Sequence, residues 1–159
     1  MPTVQLTQMQ IETCIAEAQT RTNNHALHGK QDKWPCSPEQ RIVNDQIGVC
    51  AELAVAAYLG LEWTGQAKHT DLGDVSGYEV RAQERQDGRS YELTIRKNDL
   101  GNIYIFCVVD LNQFQVVIAG WDTAENVREN GWLKYPDSEG YVIKRRFLNK
   151  MSRLKALML

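Results

Sequence analysis

Apolar positions along the first third of the chain fall at helical spacing. Residues 7–22 carry Met9, Ile11, Ile15, Ala16 and Ala18 at loosely helical intervals without Gly or Pro, which predicts a packing helix. Residues 23–37 are turn formers and predict a loop longer than a compact domain usually needs. The strongest signals surround residues 38–59: Ser37 caps a helix, Pro38 fits its first turn, Gln40 completes a capping box and Gly60 ends it. Val43, Ile47, Cys50, Ala54 and Ala57 form its apolar stripe, while Asp45, Gly48, Glu52 and Val55 form a neighbouring row. Glu52 thus borders the core beside Val49, Leu53 and Ala56, and a buried carboxylate needs a partner, such as a metal or Arg81.

After residue 73 the period shortens to two. In Asp74-Val-Ser-Gly-Tyr-Glu-Val-Arg81, alternation puts Glu79, Arg81 and Gln83 on one face of a strand and Tyr78, Val80 and Ala82 on the other. Apolar runs at 91–97, 103–109 and 114–120, separated by turn sequences, predict a meander. The run YIFCVVD is continuously apolar and predicts a central strand covered on both faces, with the two helices as covers. A short helix over 122–130 capped by Asp122, a Gly-Trp-Leu turn, a strand at 141–144 and a short terminal helix complete the chain. Trp121 and Trp132 read as packing residues. The expectation is a single domain, residues 1–159, of α+β (mixed α/β) class, with helices flanking a sheet of about four or five strands.

Composition adds limits. The 159 residues are 43% hydrophobic and 24% charged, enough for one real core. No stretch reads as a membrane span of roughly 20 apolar residues, nor does the N-terminus read as a signal peptide, so the expected location is cytoplasmic, without a membrane partner. Cys14, Cys36, Cys50 and Cys107 are scattered and read as structural thiols. Net charge is only −2, yet residues 140–159 hold six of the 18 cations, Lys144, Arg145, Arg146, Lys150, Arg153 and Lys155, and no acid. A cationic flank of this kind suits phosphate contact.

The candidate chemistry centres on Asp74 and Glu79. Ser76 and Gly77 allow a turn that brings the two carboxylates together, and convergent oxygens suit Mg²⁺. Asp71 competes with Asp74 for this role. His69 is a candidate proton relay or a solvated loop residue, and His25 and His28 lie three apart in the expected loop. Asp74 and the run Glu79-Val80-Arg81 resemble the D…ExK signature of the PD-(D/E)XK nuclease superfamily, and more closely small phage-encoded proteins that read D…EVR. The resemblance covers roughly residues 45–121, including GVCAELAVAAYLG.

The resemblance implies a restriction-endonuclease-like core and Mg²⁺- or Mn²⁺-dependent hydrolysis of DNA. It implies Asp74, Glu79 and Glu52 as metal ligands and, with Arg81, as the catalytic set. Arg81 stands where the family has lysine. An arginine, with a pKa above about 12, clamps a phosphate but does not serve as general base. Lys97 reaches the site if its strand lies beside Glu79 on the same face. Contacts to nucleic acid are expected from Arg96, Lys97, Lys144, Arg145, Arg146 and Lys150. The alternative is a catalytically inactive nuclease-like fold that binds nucleic acid, or a phage or host protein.

Overall fold

The structure, a computed structural model, describes residues 1–27, 36–65 and 74–159. Its elements in chain order are β1 (Thr3–Gln5), α1 (Gln8–Leu27), α2 (Pro38–Leu59), β2 (Glu79–Glu84), β3 (Glu92–Arg96), β4 (Ile103–Asp110), β5 (Gln115–Thr123), α3 (Ala124–Asn130), β6 (Trp132–Tyr135), β7 (Gly140–Lys144) and α4 (Met151–Leu157). The fold is α+β, built on a four-stranded central sheet of order β1-β5-β4-β2. A second sheet of order β3-β7-β6 lies against it.

β4 is central, and its two faces have different covers. Ile105, Cys107 and Val109 pack with Val49, Cys50, Leu53 and Ala54 of α2. Tyr104, Phe106 and Val108 pack instead with Leu93, Ile95 and Ile143 of the second sheet and with Ala124 and Val127 of α3. The expected meander is therefore corrected. β3 leaves the central sheet because Leu93 and Ile95 alternate with Glu92, Thr94 and Arg96, giving one apolar face to lay across β4. β2 then pairs with β4 in parallel, Glu79 opposite Tyr104 and Arg81 opposite Phe106, and residues 85–102 form the crossover that a parallel pair requires.

α2 has the expected bounds and its caps at Ser37 and Gly60, but the Gln40 side chain donates to Asn44 Oδ1 at 3.0 Å, one turn on, where a capping box was expected. Ser37 Oγ accepts from the Gln40 amide at 3.1 Å, and Gly60 ends the helix in the left-handed region at φ 69°. Its burial is broader than one stripe, since residues 49–56 are all buried between α1 and the central sheet, whereas Ala57 is exposed. By length and hydropathy (22 residues, 1.3) this helix passes as a membrane span, where the sequence pattern suggested none. Its apolar residues are spent on the core.

α1 runs to Leu27, beyond the expected 22, and consumes the start of the expected loop. Its inward line is Ile11, Cys14, Ala18 and Arg21, while Met9 and Ile15 are exposed. Cys14 Sγ lies 2.8 Å from Cys50 Sγ, and Thr22 Oγ1 donates to Asp45 at 2.6 Å, so the two helices are tied at both levels. β1 and β6 were not expected, and Thr123 rather than Asp122 caps α3.

The tail is fixed at Gly120. There φ is 149°, and a Cβ would meet the Asn149 carbonyl oxygen at 2.6 Å. That closeness lets Trp121 and Asn149 exchange backbone hydrogen bonds of 3.1 and 2.9 Å, and Trp121 Nε1 donates to the Lys150 carbonyl. α4 then buries Met151 and Leu154 in the helical side of the core.

Candidate metal and phosphate site

The site begins with a turn. Val75 and Tyr78 bridge antiparallel around Ser76 (φ 45°) and Gly77 (φ 91°), two successive left-handed residues of the kind a two-residue hairpin requires. Asp74 is thereby folded back onto the start of β2. Its amide donates to Tyr78 O at 2.9 Å, and its Oδ2 accepts from the Val80 amide at 2.8 Å. The Asp74 and Glu79 carboxyl groups lie within electrostatic reach of each other. Burial raises the pKa of Asp74 first, and the nearby Glu52 charge adds to it, against relief from the Val80 amide and Arg81. Burial also raises that of Glu79, followed by the charge of Asp74. Two half-buried acids at the end of an edge strand thus resist carrying two charges together.

Glu79 is pressed in place from above. A Cβ added at Gly101 would collide with Glu79 Cγ and touch the Tyr104 ring at 3.1 Å, so only glycine lets that loop cross so closely. Tyr104 Oη accepts from the Gly101 amide at 3.1 Å. Arg81 lies over the Tyr104 ring, 5.2 Å from its centroid, and its Nη2 reaches Asp99 Oδ2 at 3.4 Å. Asp99 is itself held, its Oδ2 accepting from the Arg96 amide at 2.9 Å and its carbonyl from Arg128. Arg81 keeps 40% of its side chain exposed and is loosely paired.

Glu52 is corrected as to its partner. Arg21 Nη1 and Nη2 donate to its two oxygens at 2.9 Å each, and Trp63 Nε1 adds a bond to Oε2 at 3.0 Å. Burial works against the charge on Arg21, but the bonds from Glu52 and Glu17 outweigh it and raise its pKa. Glu52 is within electrostatic reach of Asp74, yet both its oxygens are engaged by α1 and Trp63, not by Arg81 or a sheet cation. Among the described residues no three His, Cys, Asp or Glu side chains are gathered as a ligand set.

The remaining candidates spread out. Lys97 Nζ pairs with Glu139 at 3.1 Å, because β3 sits in the second sheet and not beside β2. The Arg96 end of β3 faces Gly140, and the Glu92 end faces Lys144. Lys144, Arg145 and Arg146 therefore lie about 13 Å of strand rise from the end that leads to Asp99. Arg145 stacks on Tyr91, and Lys150 precedes α4 beside Trp121. His28, His69 and Asp71 lie outside the described residues.

Sequence reasoning missed Arg21, Trp63, Asp99 and Gly101. Arg21 had a signal, since it continues the line Cys14, Ala18 by one further turn. No protein-family model matches the chain, and no curated protein matches its sequence.

Proposed function

We propose that this protein is a divalent-metal-dependent nuclease acting on DNA, with Asp74 and Glu79 as its metal ligands. The observation that carries the reading is the close pair of half-buried carboxylates, each raised in pKa by burial and by the other acids around it. Such a pair is relieved by a proton or by a cation. Its hard oxygens suit Mg²⁺ or Mn²⁺, which take one or two carboxylates and leave other positions to water and phosphate. Asp74 keeps Oδ1 for this purpose, because Oδ2 serves the Val80 amide. When bound, the cation would supply Lewis-acid polarisation of a phosphoryl oxygen and acidify an attacking water.

The chain's own residues supply position and charge. Arg81, loosely tied to Asp99, is able to turn its guanidinium to a phosphate and balance developing negative charge. Gly101 and Tyr104 hold Glu79 from the side opposite the helices. Incubating DNA of several forms with Mg²⁺ or Mn²⁺ tests the reading. Cleavage by the wild type and its loss by about 100-fold or more in Asp74→Ala and Glu79→Ala is the expected result. No cleavage of any form with either metal defeats it.

The engagement of Glu52 by Arg21 favours a second reading, nucleic-acid binding without cleavage, since it leaves two acids where the family resemblance implies three. Calorimetry beside the cleavage assay separates the readings: Mg²⁺ bound by wild type and Arg81→Ala alike, with cleavage only by wild type, supports the enzyme, and Mg²⁺ bound by the variant alone supports the binding protein.

A further inference from the structure

The second sheet presents two unlike faces. Leu93, Ile95 and Ile143 point into the core, while on the other face Glu92 lies opposite Lys144 and Trp132 opposite Val142. One end of that outer face opens as a groove of about 470 Å³ lined by Glu92, Trp132, Lys134, Lys144, Arg146 and Phe147. Its size falls within the ~300–1,000 Å³ of sites that take small ligands or parts of larger ones. Trp132 is 40% exposed and Phe147 60%. Lys144 Nζ stands 5.8 Å from the Trp132 ring centroid, and Arg146 Cζ stands 4.8 Å from that of Phe147. Glu92 is neutralised by its ion pair with Lys134, which leaves the charges of Lys144 and Arg146 unmatched within the lining.

A lone exposed aromatic is ordinary on a protein surface. Two partly exposed aromatic rings in one groove, each with a cation over one of its faces, are complementary to a polymer of planar bases joined by phosphates, whose charge draws the cation and whose bases stack on the ring. In a duplex the base faces are stacked on each other and cannot reach such rings, whereas a single strand offers them. We infer that this groove binds single-stranded nucleic acid, with bases stacking on Trp132 and Phe147 and phosphates held by Lys144 and Arg146. The site uses none of the carboxylates at the edge of the central sheet and stands whether or not the protein cuts.

The test is fluorescence anisotropy of a labelled short oligothymidylate and of a duplex of equal length, in EDTA so that no metal-dependent cleavage intervenes. The single strand is expected to bind more tightly than the duplex. Trp132→Leu with Phe147→Leu keeps apolar bulk and removes the aromatic faces, and should weaken single-strand binding about tenfold or more. Lys144→Gln with Arg146→Gln removes two phosphate contacts and should flatten the dependence of log affinity on log salt by about 1.4 units. Measurement in EDTA takes metal-dependent cleavage out of the readout, so that a failure of the nuclease reading is told apart from a failure of this one. Equal binding of duplex and single strand, indifference to the paired leucine substitutions, or displacement of the oligonucleotide by polyglutamate as readily as by unlabelled single strand would overturn the inference. The last result would assign the groove to an acidic peptide.

Discussion

Asp74 and Glu79 are each harder to ionise in the fold than in an unfolded chain, where both titrate in the ordinary carboxylate range. Just above that range the native state therefore holds more protons than the unfolded one, and stability falls as pH rises through the window up to the raised values. The contribution is fully present below the unfolded values and lost above the folded ones. Glu79→Gln removes the second charge while keeping the shape. We expect its urea midpoint to fall less steeply than that of wild type between mildly acidic and neutral pH. We also expect Mg²⁺ to raise the wild-type midpoint near neutrality and leave that of the variant unmoved. Urea titrations at several pH values, with and without Mg²⁺, measure both, and a wild-type midpoint that climbs with pH relative to the variant would contradict the account.

Between α1 and α2, Arg21 has become part of the architecture. Its two bonds to Glu52 lie at an interface where the Glu52 side chain is only 9% exposed. Removing the guanidinium leaves a carboxylate facing the core with only the Trp63 indole to answer it. Arg21→Ala should therefore cost about 3 kcal/mol, with Glu52→Gln milder, as read from denaturant unfolding. At this scale the sequence was most legible where local chemistry decides the outcome. The caps of α2 at Ser37 and Gly60, the apolar run of β4 and the turn at Ser76-Gly77 depend on residues adjacent in the chain. It was least legible where a distant partner decides. β3 and β2 carry similar strand signals, and only the apolar pair Leu93 and Ile95, seeking the far side of β4, separates their fates. In the same way Asp74 and Glu79 were found by spacing, whereas the commitment of Glu52 to Arg21 is set by how two helices cross.

The molecule as a whole is layered, with α1 and α2 on one side of the central sheet and β3-β7-β6 with α3 on the other. One edge strand of the central sheet, β1, joins residues far apart in the chain: Thr3 pairs with Val117 and Gln5 with Gln115, the Ile118 amide donates to Pro2 O, and Leu6 is buried. Deleting residues 2–6 should uncover the apolar edge of β5, lower stability by about 2 kcal/mol or more through loss of Leu6 alone, and promote association through that edge. Light scattering after size-exclusion chromatography reads the association, and a deletion variant that stays monomeric at wild-type stability would contradict it. The same pairing has a consequence for synthesis. A ribosome delivers residues 3–5 early and their partners more than a hundred residues later, at roughly 5–20 residues per second. For several seconds residues 8–59 have been made while the sheet that α2 covers is still incomplete. The first strand to leave the ribosome is thus among the last to find its place.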